Sequence, residues 1–386
     1  MAGYIFSVSK EGWDSFCECD LQKGYFTPLA IPVTEEDMTA AKRKSRSKVL
    51  AATFGDMVTM KPGDNVYFLS NRKIYGIGIT VRIGSDCKYD NYCDASALIP
   101  DCQLNPTDYL TTEDTRARWV CLFAPSPFFF RKGADMDDVL RYRPSAFKAL
   151  RAFEGLSFIK LDDEENRALK EYISLINESS YTDLTQFTFP FDDALHSSLS
   201  GRNLDRYVMD ISRSLISEEN REYVVSEMFI ESLLLQKLAR GETDSFGRWD
   251  YLSHQLIASP FKPLKYIDKI DVFGYRYSAR YDDTPKLITK YLLIELKKDS
   301  INRAALEQTM QYVDWICSEY ASGDYSKIEA FVVGNRATRG IEQIKQEVCQ
   351  RSFILETHPV VPGKWNNINL VLYSLEGEPS FYQVKE

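Results

Sequence analysis

The sequence Tyr291-Leu-Leu-Ile-Glu-Leu-Lys-Lys298 joins a strongly apolar run to charged residues at its end. An earlier segment, Tyr266-Ile-Asp-Lys-Ile-Asp-Val-Phe-Gly274, has the same character and ends at a glycine. Thr284 and Pro285 separate the two segments, which is typical of a turn. We therefore predict two neighbouring strands in the last third of the chain.

Two carboxylates and a lysine are predicted to converge at the end of this strand pair. Side chains alternate across a strand, so Glu295 and Lys297 leave one face while Ile294 and Leu296 pack on the other. Asp271 lies between two apolar residues in the same way. Oxygen ligands of this kind suit Mg²⁺, with Mn²⁺ as an alternative. Such an ion can activate a water molecule and stabilise negative charge on a phosphate.

The order of these charged residues resembles that of the PD-(D/E)xK nuclease superfamily. The matching residues are Asp271, then a turn, then Glu295 and Lys297 in the pattern Glu-x-Lys. A predicted upstream helix carries Glu227 and Glu231 four residues apart, as the leading helix of that family does.

The segments that follow extend the resemblance. Residues 306–315 are similar to the Gln-x-x-x-Tyr-Val helix of mismatch-type and restriction-type members, with Gln308 and Tyr312 on one helical face. Residues 328–333 are predicted to form a core strand. The order helix, strand, strand, helix, strand is the core of the superfamily, and the resemblance covers residues 220–335.

The resemblance implies metal-dependent hydrolysis of phosphodiester bonds. The residues that it makes catalytic are Asp271, Glu295, Lys297, Glu231 and Gln308. Asp271, Glu295 and Glu231 would hold the metal ion, with Glu227 as the alternative helix carboxylate. Lys297 would orient the attacking water and stabilise charge on the phosphate, and Gln308 would fix Lys297 or a phosphate oxygen. The competing interpretation is an ordinary surface strand with solvated charges.

Residues 1–135 are predicted to form a mostly β unit. Its most informative part is a turn at Pro62-Gly63-Asp64, a strand over Asn65–Ser70, a turn at Asn71–Lys73 and a second strand that contains Gly76 and Gly78. This pattern, together with Gly12-Trp13 and Arg118-Trp-Val-Cys-Leu-Phe123, resembles PUA-like barrels of the EVE and YTH kind.

That resemblance implies an aromatic pocket for one flipped-out, modified base. The candidate base-binding residues are Trp13, Tyr67, Asn71, Tyr75 and Trp119, with Ser70 as an alternative polar reader. For each large aromatic residue, packing in the core is the competing role.

Two further parts complete the predicted organisation. Residues 136–218 are interpreted as a helical linker, with helices over Asp135–Leu140, Pro144–Phe153 and Asp162–Ile176, and residues 219–386 as a restriction-endonuclease-like α/β domain. The basic run Lys42-Arg-Lys-Ser-Arg-Ser-Lys48 is either a solvated helix end or a phosphate contact. The candidate phosphate-binding residues are Lys42, Arg43 and Lys298.

Composition limits the class of protein. The chain has 386 residues, of which 44% are hydrophobic and 13% aromatic, enough for packed cores in two or three domains. It has no apolar run of about 18–20 residues, and its first residues lack a signal-peptide pattern, so we expect a cytoplasmic protein without a membrane span. A net charge of −9 disfavours a strongly basic, sequence-blind nucleic-acid binder.

The two resemblances together indicate a modification-dependent restriction endonuclease that cuts foreign DNA with altered bases. One alternative is a protein that binds a modified nucleotide, in DNA or RNA, and uses the nuclease fold only as a scaffold. Another is a mismatch-type repair endonuclease, suggested by Gln308 and Tyr312. Cutting both strands would require a homodimer or two visits to the duplex.

Overall fold

The computed structural model describes residues 1–28, 51–92, 98–99, 117–152, 158–211, 226–257, 269–278 and 287–384. The chain forms two compact units, Met1–Val224 and Val225–Glu386. Both contain helices and sheets, so the fold is mixed α/β with several sheets, in agreement with the coarse prediction. In the described part of the chain, no helix combines the length and the apolar character needed to cross a membrane.

The first unit is built on one eight-stranded sheet. Its strands are β1 (Gly3–Ser7), β2 (Tyr25–Phe26), β3 (Asn65–Ser70), β4 (Lys73–Thr80), β5 (Lys88–Tyr92), β6 (Ala117–Pro125), β7 (Ala134–Asp135) and β8 (Phe158–Leu161). The main path runs β2-β6-β4-β3-β1-β8, with β5 beside β6 and β7 beside β4. The pair β1–β3 is parallel and the others are antiparallel.

Alternation along the strands divides the core of this unit between the two faces of the sheet. Ile5 and Tyr67 are cross-strand partners in the apolar cluster that includes residues of the later helices. The neighbouring partners Phe6 and Phe68 both pack against the Phe26 ring. The unit therefore has apolar packing on both sides of the sheet.

The predicted hairpin between β3 and β4 is confirmed. Ser70 pairs with Lys73, which leaves a two-residue loop. Asn71 and Arg72 have φ values of 49° and 61°. Positive φ at both central positions is the requirement of a type I′ turn, whose twist matches that of the strands.

The helices in the described part of the first unit are short apart from one. They are α1 (Trp13–Phe16), which continues as the π-helical turn Cys17–Leu21, α2 (residues 51–58), α3 (Met136–Tyr142), α4 (Asp163–Ile176), α5 (Leu184–Phe187) and α6 (Ala194–Ser200). Single 3-10 turns occupy Leu150–Ala152, Glu178–Thr182 and Asp205–Tyr207. The start of α4 follows the prediction, because the Asp162 side chain accepts hydrogen bonds from the amides of Glu164 and Glu165.

The helix predicted over Pro144–Phe153 is wrong for the described residues. Only the 3-10 turn Leu150–Ala152 is helical there. The Glu165 carboxylate explains the difference, since its Oε1 accepts from the amides of Lys148 at 2.8 Å and Leu150 at 3.1 Å. Those amides are thereby withdrawn from helical hydrogen bonds. Strand β8, also in the segment interpreted as a helical linker, pairs with β1 in the main sheet.

The described residues of the second unit form a six-stranded sheet and two small two-stranded sheets. Its strands are β9 (Tyr251–Ile257), β10 (Lys269–Tyr277), β11 (Ile288–Leu296), β12 (Ser300–Ile301), β13 (Ile328–Gly334), β14 (Arg336–Ala337), β15 (Arg351–Thr357), β16 (Val360–Trp365), β17 (Ile368–Ser374) and β18 (Ser380–Gln383). Its helices are α7 (Glu227–Arg240), α8 (Arg303–Glu319) and α9 (Ile341–Val348), with 3-10 turns at Asp244–Phe246 and Tyr325–Lys327.

The main sheet has the order β18-β17-β13-β11-β10-β9. Strands β11, β13 and β17 are parallel neighbours, whereas β9, β10 and β18 run antiparallel to their partners. The predicted strand pair is β10–β11, and the expected turn at Thr284 and Pro285 lies outside the described residues. The order α7, β10, β11, α8, β13 agrees with the predicted order of elements. Strands β9, β12, β14, β15, β16 and β18 were not predicted.

Candidate functional site

Strands β10 and β11 separate at Asp271 and Glu295. The ladder between them extends only as far as Val272 and Ile294. Beyond that point the start of β10 pairs with β9, and the end of β11 pairs with β13. The Asp271 side chain bridges the opening, since its Oδ2 accepts a hydrogen bond of 2.7 Å from the Leu296 amide. The two predicted carboxylates therefore lie at a split in the centre of the sheet.

Lys297 lies directly after β11 and reaches the same place. Its amide donates to the Val333 carbonyl at 2.8 Å, so its backbone stays attached to β13. Its Nζ is 2.5 Å from Glu295 Oε1, as expected for residues two apart on one strand face. The Glu295 side chain is buried, and the Lys297 side chain remains 29% exposed. The lysine thus connects a buried carboxylate to the surface.

Helix α7 adds two carboxylates to this site. It packs against β9, β10 and β11. Glu231 lies near enough to Asp271 and Glu295 to raise the pKa of both, and Glu227 contributes to that of Glu295. The two acids, four residues apart, therefore both lie close enough to the site to act on its carboxylates.

Burial and like charge dominate the electrostatics. Burial, then Glu231 and Glu295, raises the pKa of Asp271 well above its usual range. Burial raises the pKa of Glu295 to about 7 despite the opposing effect of Lys297. Burial alone would lower the pKa of Lys297, but the Glu295 carboxylate and its hydrogen bond outweigh burial and raise it. The site thus concentrates acidic groups that ionise with difficulty unless positive charge is added.

The donor atoms fit a hard divalent cation. The Oε2 atom of Glu295 is buried and has no hydrogen-bond partner in the described structure. A buried carboxylate oxygen without a partner is costly, and a cation would satisfy it. Within the described ranges, no three Asp, Glu, His or Cys side chains are grouped as a preassembled ligand set. Two oxygens are engaged within the protein, Glu295 Oε1 by Lys297 and Asp271 Oδ2 by Leu296.

The remaining predicted site residues of this unit are Gln308 and Lys298, and their hydrogen bonds differ from the predicted ones. Gln308 donates to the Tyr312 hydroxyl at 2.9 Å, one turn along α8. Among the described hydrogen bonds, none joins Gln308 to Lys297. Lys298 is exposed, and its carbonyl accepts a hydrogen bond from the Tyr373 hydroxyl. Gln308 and Tyr312 therefore form a pair, as the shared helical face predicts.

The five predicted base-binding residues of the first unit divide into two groups. Tyr67 and Trp119 are core residues, with exposed fractions of 0% and 2%. The Tyr67 hydroxyl donates to Asn166 at 2.8 Å, so this ring is held inside the fold. Trp13 and Tyr75 are partly exposed, and their ring centroids are 4.3 Å apart. Asn71 is exposed at the tip of the β3–β4 hairpin.

Two residues outside the predicted set extend the Trp13–Tyr75 pair into a surface cluster. Phe189 approaches Trp13 edge to face, with centroids 6.1 Å apart. The Arg131 guanidinium lies 4.7 Å from the centre of the Phe189 ring. We name Trp13, Tyr75, Phe189 and Arg131 the aromatic cluster. The Phe-x-Phe-Pro-Phe composition of residues 187–191 was the available signal for Phe189.

One buried histidine of the second unit was also missed. His254 on β9 lies with its Nε2 atom 2.9 Å from Glu231 Oε2. Its surroundings, Tyr251-Leu-Ser-His-Gln-Leu-Ile257, contain three consecutive polar residues and lack the alternation of a half-buried strand. The predicted phosphate-binding residues Lys42 and Arg43 lie outside the described residues.

The chain matches no protein-family model and no curated protein.

Proposed function

We propose that this chain is a metal-dependent endonuclease that hydrolyses phosphodiester bonds in DNA. The observation that carries the proposal is the split between β10 and β11, where Asp271, Glu295 and Lys297 come together and Glu295 Oε2 is buried without a hydrogen-bond partner. The helix carboxylates Glu227 and Glu231 add negative charge at the same place. A PD-(D/E)xK, restriction-endonuclease-like site accounts for this combination.

Asp271 and Glu295 would hold Mg²⁺ or Mn²⁺, with Glu231 as the third carboxylate. A bound divalent cation supplies Lewis-acid stabilisation of the phosphate and lowers the pKa of a bound water. Lys297, with its raised pKa, stays protonated at neutral pH and can stabilise negative charge on the phosphate. Its partial exposure lets the ammonium group exchange Glu295 for a substrate oxygen. Gln308 and Tyr312 would support the site from α8.

For the first unit we propose recognition of a modified base by a PUA-like domain. The aromatic cluster supports this role, because its partly exposed rings offer stacking surfaces and Arg131 adds positive charge. A base reader fused to a nuclease would act in restriction or anti-phage defence. Cleavage of both strands would then be carried out by a homodimer.

The test is cleavage in Mg²⁺ or Mn²⁺ of hydroxymethylated, methylated and plain duplex DNA. The variant Lys297→Ala should be inactive. Lys290→Ala is the matched control, because Lys290 is on the same strand but donates to the Ser326 carbonyl away from the site. Cleavage that requires both Lys297 and the modification supports the full proposal. Equal cleavage of all substrates would remove base recognition, and equal inertness of wild type and Lys297→Ala would remove catalysis.

A second candidate function is binding of a modified nucleotide without cleavage. The absence of a preassembled ligand set among the described side chains, and the ion pair between Lys297 and Glu295, favour it. In that case the nuclease-like unit would serve as a scaffold. Tight binding of modified DNA or RNA by an inert wild type would distinguish this function from the first.

A further inference from the structure

We propose that His254 is a positioning residue that holds Glu231 in place to bind the metal ion. This inference rests on the proposed function, since it assigns a role toward the same cation. His254 would contact neither the cation nor the substrate. It would act only through Glu231.

The contact between the two side chains is short and buried. His254 Nε2 is 2.9 Å from Glu231 Oε2, and the two side chains are only 2% and 3% exposed. When the Glu231 carboxylate is ionised, its oxygens can only accept hydrogen bonds, and in that state His254 Nε2 is the donor. A hydrogen bond to a charged group in such an environment is stronger than one in water. This contact therefore defines the position of one Glu231 oxygen.

Strand β9 is attached to α7 at a second point. Gln255, the residue after His254, donates from its side-chain nitrogen Nε2 to the Met228 sulfur at 3.6 Å. Met228 and Glu231 are three residues apart and thus lie on one face of α7. Gln255 has a φ of 52°, which is uncommon for a residue with a side chain. The end of β9 is thus shaped to contact the helix face that bears Glu231.

The charge around Glu231 explains why a positioning residue is needed. Asp271 and Glu295 are close enough for Glu231 to raise the pKa of both. Before a cation binds, like charges favour movement of Glu231 away from these two carboxylates. The hydrogen bond from His254 opposes that movement by fixing Oε2. The second oxygen, Oε1, is then the one available to a cation.

The geometry also fits a general pattern of metal sites. Partners that orient a ligand typically change metal affinity or activity by about 10-fold to 100-fold when they are mutated. The competing explanation is a hydrogen bond that merely stabilises the fold. The two explanations differ in the predicted affinity of the folded protein for the metal.

The experiment measures the affinity of the full chain for Mn²⁺ alone by isothermal titration calorimetry, without DNA. Removal of the imidazole in His254→Ala should weaken Mn²⁺ binding about 10-fold to 100-fold. His254→Gln should restore most of the affinity, because its amide nitrogen can reach the position of Nε2. His358→Ala is the matched control, since His358 is exposed and contacts Thr357.

A pair of polar variants keeps the test valid if the alanine variant does not fold. The side chain of His254→Asn is one carbon shorter than that of His254→Gln and cannot place its amide at the Nε2 position. Binding of Mn²⁺ should therefore be at least several-fold tighter in the Gln variant than in the Asn variant. Melting curves recorded in EDTA show whether each variant is folded.

The possible results separate the two proposals. Equal Mn²⁺ affinity of the Gln and Asn variants, or wild-type affinity in a folded His254→Ala protein, would overturn the role of His254. A wild type that binds Mn²⁺ with dependence on His254, yet cuts none of the DNA substrates, would overturn the proposed nuclease and leave the role of His254 intact. A wild type that binds no Mn²⁺ would overturn both.

Discussion

Replacement of Glu295 by glutamine should stabilise the metal-free protein at neutral and alkaline pH. Burial raises the pKa of this carboxyl from 4.5 to about 7 in the folded chain. The folded state therefore holds the proton more tightly than the unfolded state. The resulting destabilisation is absent below about pH 4.5, grows between pH 4.5 and 7, and is complete above pH 7. Glutamine has no ionisable group, so it lacks this destabilisation. Its side-chain oxygen can still accept a hydrogen bond from Lys297.

The size of the effect follows from the displaced pKa. Each pKa unit corresponds to about 1.4 kcal/mol, so a change from 4.5 to about 7 gives roughly 3 kcal/mol at pH 8. Glu295 is only 1% exposed, so solvent screening reduces this free energy only slightly. For a unit of this size, 1 kcal/mol shifts the melting temperature by about 2–4 °C. Glu295→Gln should thus melt roughly 6–12 °C above wild type at pH 8, and near wild type at pH 4.5.

Differential scanning calorimetry in EDTA between pH 4.5 and 8 tests this prediction. The exposed residue Glu319 provides a control, since a substitution at the surface usually changes stability by less than about 0.5 kcal/mol. Added Mn²⁺ should raise the melting temperature of wild type more than that of Glu295→Gln. A melting temperature of Glu295→Gln at or below that of wild type at pH 8 would refute the account of Glu295 as a buried carboxylate whose ionisation destabilises the fold.

Three further predictions concern the fold and the base reader. Gly274→Ala should destabilise the second unit by about 1–3 kcal/mol in urea unfolding, because the new Cβ would lie 2.7 Å from the Tyr251 carbonyl oxygen; an unchanged midpoint would contradict this close approach. Asn302→Ala should cost about 1 kcal/mol in the same assay, since the Asn302 side chain caps α8 by accepting from the Ala305 amide at 3.0 Å. Trp13→Ala should weaken binding of modified DNA by about 1–3 kcal/mol in fluorescence anisotropy. Cleavage of plain DNA, if present, should be unchanged in that variant, and unaltered binding would exclude Trp13 from the reader.

The strand pair and its charged residues could be predicted because their pattern is local. The apolar run that becomes β11 ends at charged residues, and Glu295 and Lys297 meet as alternation along a strand requires. The spacing of Glu227 and Glu231 likewise placed both on one face of α7. In each case a few neighbouring residues contain the information.

Other features depend on contacts between distant residues. His254 is joined to Glu231 across 23 positions, and nothing in its polar surroundings indicates a strand. The Glu165 carboxylate accepts hydrogen bonds from amides 15 and 17 positions away, so the helix predicted over residues 144–153 does not form there. The exposed fraction of Tyr67 or Trp119 also depends on the whole sheet, because an aromatic residue in a strand can face either a core or a pocket.

The most direct test of the central claim compares two aspartate variants in Mg²⁺-dependent DNA cleavage. In Asp271→Asn the amide oxygen can still accept from the Leu296 amide, so the strand end is kept and only the charge is lost. Asp250→Asn is the matched control, because Asp250 accepts in the same way from the Tyr277 amide at the other end of β10. A nuclease centred on Asp271 should lose at least about 100-fold in rate in the first variant and stay near wild type in the second. Cleavage by Asp271→Asn at the wild-type rate would contradict the proposed site.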